Sequence, residues 1–150
     1  MDKDLLKKSY TAAALAAAGI TTAILVYAVA AEALRRSGFR PPLAPPAAYA
    51  IKYALYVLGL AAVPLLQLAG RLLDVKKDGP AETVRNLVLL AIIRAALSEV
   101  PALCGLILFI LTGARADFYL LLVFALGLEL YHFPRLGAWE ERIRGEFGLL

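Results

Sequence analysis

Glu99 stands inside a long apolar run, residues 87–111 (LVLLAIIRAALSEVPALCGLILFIL), with Arg94 five positions before it and Pro101 two after. A run of 25 residues rising about 1.5 Å per residue as a helix covers a hydrocarbon core of roughly 30 Å. A carboxylate at that depth costs on the order of 2.5–3.5 kcal/mol on insertion scales, which makes it a functional candidate by default. Two chemistries follow. In one, desolvation keeps Glu99 protonated, and the carboxyl binds or passes a proton or small cation. In the other it is structural, hydrogen-bonded across helices or paired with Arg94 of a neighbouring copy.

The remaining intramembrane charges form a supporting network. Arg94 and Glu99 are separated by about 140° around a helix, too far apart in direction to pair with each other. Glu129 lies in a later apolar segment, and an antiparallel packing of that segment makes it the expected partner of Arg94. Glu32 and Lys52 are expected to pair at the opposite side. This leaves Glu99 without a basic partner. Pro101 removes a backbone donor beside it, either kinking the helix or opening a turn to water or a cation. Ala95, Ala96, Ser98, Ala102 and Gly105 are small, which favours close helix approach.

Soluble-type catalysis has no support. Cys104 is the one cysteine and His132 the one histidine, so neither a disulfide nor a Cys/His metal cluster is expected. No glycine-rich phosphate loop, nucleophile elbow or HExxH pattern occurs. The expectation is therefore no catalytic residue, no cofactor and no metal. The formal net charge of +4 flanks the apolar runs and reads as a topology signal, so no nucleic-acid partner is expected.

These residues must be positioned by helices. The chain is 61% hydrophobic with a mean hydropathy of +0.73, and its apolar runs predict an all-α integral membrane protein of four spans. Their extents are about residues 10–31, 47–69, 87–111 and 118–133, in a single domain over residues 1–150. Basic residues before the first run and Ala28-Val29-Ala30 mimic a signal peptide, but the run exceeds the roughly 7–15 residues of a signal core and is read as retained. Residues 37–46 (SGFRPPLAPP) read as an extended connection. Residues 71–86 form a polar loop with a turn at Asp78-Gly79-Pro80, and residues 112–117 a tight one. In the tail, about residues 137–150, Trp139, Ile143, Phe147 and Leu150 share one helical face. That pattern predicts a short helix lying at the membrane surface.

Four spans put both termini on one side. Ten basic residues on that side against four on the other place both termini in the cytoplasm, in a prokaryotic inner membrane or its equivalent. Counted from the inner ends, Glu99 sits about 20 Å deep and Glu129 about 6 Å. A four-helix unit offers little room for Arg94, Glu99 and Glu129 together, which points to a homo-oligomer within the lipid bilayer, or to other partners in a membrane complex.

Residues 94–111 (RAALSEVPALCGLILFIL) resemble the ion-binding outer helix of the c (proteolipid) subunits of rotary ATP synthases. Ala96-Leu97-Ser98-Glu99 is followed by Leu103 and Gly105-Leu106-Ile107, and Glu99 occupies the position of that family's ion-binding carboxylate. The resemblance implies a proton-binding carboxyl. The second span carries only Gly59 and Gly70 where the family's inner helix has alternating glycines. The segment RAALSEVP is also similar to the signature of the membrane glutathione transferase family, and this is the enzyme alternative, acting on lipophilic or thiol substrates. The reading is thus proton or small-cation binding or conduction at Glu99. The alternative is an accessory or structural subunit without transport.

Overall fold

A computed structural model describes residues 3–43, 45–73 and 79–148, and all regular structure among them is helical. The helices are α1 (Lys3–Arg36), α2 (Pro45–Leu73), α3 (Pro80–Thr112), α4 (Arg115–His132) and α5 (Leu136–Phe147). Three of them, α1, α2 and α3, are long and apolar enough to cross a membrane. A fourth crossing arises only when α4 and α5 are taken together as one span bent by 42°.

α1, α2 and α3 each run past both ends of the apolar stretch that announces them. α3 begins at Pro80, seven residues before the apolar run, because proline suits the first helical turn, where its missing N–H costs nothing. Pro45 opens α2 in the same way, so the proline-rich connection is shorter than its composition implies. The polar loop expected at residues 71–86 shrinks accordingly; Asp78, Lys76 and Lys77 lie outside the described residues. α3 continues through Pro101, and α2 through Pro64.

α3 is the hub, packing against α1, α2, α4 and α5. Each neighbour turns a narrow stripe toward it. On α1 the buried residues Leu6, Ala13, Ala17, Ile24 and Ala31 recur at helical spacing, and their small members let backbones approach. Leu15, Leu25, Val26 and Val29 remain exposed on the same helix. α2 likewise buries Ala62 and Leu66 while exposing Val57, Leu58, Leu60 and Leu65. Outward faces this apolar are suited to lipid, not water.

The closest approach is between α3 and α4. A Cβ on Gly105 would stand 3.1 Å from Leu121 Cβ and 3.2 Å from the Phe118 carbonyl oxygen. The hairpin is closed by Gly113 at φ 72°, whose N–H donates to the Phe109 carbonyl at 2.8 Å. A Cβ there would meet Pro41 at 2.7 Å. α5 departs from expectation. Its apolar face is spent on the protein, with Trp139 and Ile143 buried against Leu6, Ala13, Val84, Leu87 and Ala91. Phe147 is partly buried on the same cluster, and Leu150 lies outside the described residues.

Gly105→Leu is expected to force α3 and α4 apart at a cost of about 1–3 kcal/mol. Gly127→Leu, where nothing lies within 4 Å of an added Cβ, should be neutral. Unfolding midpoints of the two variants in the same detergent check this.

Candidate functional site

The site is built where α1, α3 and α4 meet. Thr112 and Arg115 end and begin the two helices of the hairpin. Glu99 lies 13 residues before Thr112 and Glu129 lies 14 after Arg115. Both therefore sit about 20 Å from the turn by helical rise, at one level. This corrects the different depths read from the inner ends. The tight turn sets the register, while the other end of α3 overhangs α4.

Glu129 follows Phe118, Leu121, Leu122 and Ala125 on the buried stripe of α4. It is 1% exposed, and neither carboxyl oxygen has a hydrogen-bond partner. Ser98 of α3 stands beside it and is fully buried, but its hydroxyl lies outside hydrogen-bonding geometry. Glu99, the next residue on α3, turns about 100° away toward α1. There the Tyr27 hydroxyl donates to Glu99 Oε1. The carboxyl of Glu99 remains within electrostatic reach of Glu129. Two carboxyls and two hydroxyls thus share one level of the bundle.

Such a group has limited chemistry. Its polar atoms are carboxyl and hydroxyl oxygens, and two carboxyls in mutual reach do not readily both carry charge in a low-dielectric interior. A proton or small cation relieves that conflict. Among the described residues no three His, Cys, Asp or Glu side chains gather in metal-binding geometry.

The supporting charges are arranged differently from the expected pairs. Glu32 binds Arg35 and Arg36 on its own helix, not Lys52. Residues three and four apart face one another on a helix, whereas α1 and α2 pack on α3 and share little contact with each other. Lys52 Nζ instead donates to Asp117 at 2.9 Å, and the Tyr56 hydroxyl donates to the same carboxylate at 2.7 Å. Asp117 lies in the first turn of α4, where the helix dipole also favours an anion. This cluster ties α2 to the start of α4.

Arg94 does not hydrogen-bond Glu129, whose oxygens accept no such bond. It lies one turn below Ser98 and reaches toward α2. There its Nη2 sits 3.2 Å from the place a Cβ on Gly70 would occupy. Glu129 is buried inside the chain, whereas Glu99 beside it is only partly buried.

Tyr27 and Asp117 were not foreseen from sequence as site residues. Ser98 was noted there only for its small size. A hydroxyl or carboxylate in phase with a buried stripe is the signal that marks such positions.

Tyr27→Phe is expected to lower stability by about 1 kcal/mol, the scale of an interhelical hydrogen bond in a membrane. A double-mutant cycle on Lys52→Met and Asp117→Asn should return a coupling of about 0.2–1 kcal/mol, since the pair is partly exposed. Equilibrium unfolding in mixed micelles reads both. Comparison of the chain with known protein families, with characterised proteins and with solved structures finds no match.

Proposed function

We propose that this chain binds protons within a membrane and passes them across it, with Glu99 as the titrating group and Glu129 as its coupled partner. The observation that supports the reading most is Glu129 itself. It is a carboxyl 1% exposed, with both oxygens unpartnered, at the level of Glu99 and within its field. An intramembrane carboxyl is costly to retain, and one whose oxygens accept no hydrogen bond suits a proton or ion that comes and goes.

In this reading Tyr27 orients Glu99, while Ser98 offers a rotatable hydroxyl to either carboxyl. The two carboxyls act together as one proton-binding unit. The resemblance of residues 94–111 to the ATP synthase c subunits points to the same chemistry at Glu99. Protons are preferred to alkali cations because the donor set is small: two carboxyls and two hydroxyls from three helices. The proposed topology has α4, continued by the bent α5, as the fourth crossing, with both termini cytoplasmic.

The test is flux in liposomes containing the full chain, under imposed pH or salt gradients. Wild-type protein is expected to dissipate a pH gradient. Glu99→Gln and Glu129→Gln are each expected to fall to the level of protein-free vesicles while keeping helical content and size. No flux from folded wild-type protein, or full flux from Glu99→Gln, would overturn the reading. The first result would leave the accessory role, in which Tyr27–Glu99 and Lys52–Asp117 serve to hold helix register.

A further inference from the structure

A second site lies at the other end of α3, away from the carboxyl pair. A cavity of about 890 Å³ opens between the end of α2, the first half of α3, the end of α4 and α5. Its charged lining is one-signed among the described residues. Arg71, Arg94, Arg135 and Arg142 converge on it from four different segments, together with His132, and no described acidic residue lines it. The His132 ring is held by its Nδ1–H, which donates to the Leu128 carbonyl at 2.9 Å.

Apart from Gln67 and Tyr131, the rest of the lining is apolar. Val63, Leu66, Leu90 and Leu128 form walls on the side toward the bundle centre. Trp139, buried and packed edge-on against Tyr10 with ring centroids 5.7 Å apart, fixes the α5 side. Tyr10 in turn donates its hydroxyl to the Pro134 carbonyl, joining α1 to the α4–α5 bend. The bare backbone of Gly70 leaves room for the Arg94 guanidinium, so a cation is admitted deeper into the apolar part than Arg71 or Arg135, which are exposed.

We infer that this cavity is a binding site for an anionic membrane lipid, its phosphate held by the arginine cluster and an acyl chain lying along the leucine walls. The argument is charge and shape complementarity. Guanidinium groups present forked donors matched to phosphate oxygens. A basic pocket between membrane helices near one surface suits lipid head groups. The volume lies within the range of small-ligand sites, and a soluble anion would have no use for the apolar walls. This site is independent of the proposed proton chemistry. It shares no residue with Tyr27, Ser98, Glu99 or Glu129, so either can fail alone.

Trp139 is the only tryptophan in the chain and lines the cavity, which makes it a built-in reporter. The full chain is reconstituted into phosphatidylcholine vesicles, and small fractions of brominated phosphatidylglycerol or brominated phosphatidylcholine are introduced. Bromine on an acyl chain quenches a nearby indole. Quenching by the phosphatidylglycerol probe at lower mole fraction than the phosphatidylcholine probe is expected. Arg71→Gln and Arg135→Gln, both at exposed positions, should each weaken that preference roughly five-fold, and Arg71→Lys less. Equal quenching by the two probes in wild-type protein would overturn the inference without recourse to any variant. So would loss of the preference on adding inorganic phosphate, which would assign the site to a soluble anion.

Discussion

The structure depends on the close approach of α3 and α4. A bundle in lipid gains nothing from hiding apolar surface from apolar solvent, so its helices are held by packing and by polar contacts. Here the packing is set by two glycines. Gly113 supplies the left-handed residue that closes the hairpin, and Gly105 lets Phe118 and Leu121 pack where a Cβ would stand 3.1–3.2 Å from them. Between them they fix the register of the whole hairpin, and that register brings Glu129 level with Ser98 and Glu99. A slip of one turn would move the carboxyl off Ser98, toward Ala102 in one direction and Arg94 in the other.

The other helices read off this pair. α1 lays an alanine-rich stripe on α3 and contributes to the Phe109–Phe118 cluster through Ile24 and Ala31. That places Tyr27 beside Glu99. α2 lies on α3 with Gly59 close to Pro101, 3.4 Å from an added Cβ to the proline Cα. α5 folds back after Pro134 and packs through Trp139 and Ile143 on the first halves of α1 and α3. Polar contacts then sort by depth. Glu32 and Lys52 are satisfied near one end, the carboxyl pair occupies the middle, and the arginine cluster surrounds a cavity at the other end.

This division separates two kinds of charged residue that composition alone lumps together. The ion pairs near the Lys52 end have water within reach and modest energetic weight. Glu129 is buried, and its oxygens accept no hydrogen bond. Its cost must be met by what it does or by the register it specifies, and buried polar groups are retained in proteins for either reason. The arginines stand between these cases, with long apolar stems along the cavity wall and heads able to reach the polar end.

Much was legible in the sequence. Apolar runs of spanning length dictate helices, since in lipid each backbone donor and acceptor must be satisfied within its own segment. Gly-Pro and Thr-Gly punctuation marks two helix boundaries, and the oddity of Glu99 and Glu129 is visible in the residue string alone. Even the level of the pair is implicit there, because both carboxyls are nearly equidistant from the Thr112–Arg115 turn. The far ends of the two apolar runs hide it, because α3 extends helically through residues that look like loop. Only the tertiary structure decided the partners. Whether Lys52 meets Glu32 or Asp117, and whether Arg94 meets Glu129 or the gap at Gly70, depends on which helices touch and at what rotation. Helical periodicity gives each residue's direction around its own axis. The direction in which a neighbour lies is a property of the packed bundle, and a single chain of letters does not carry it.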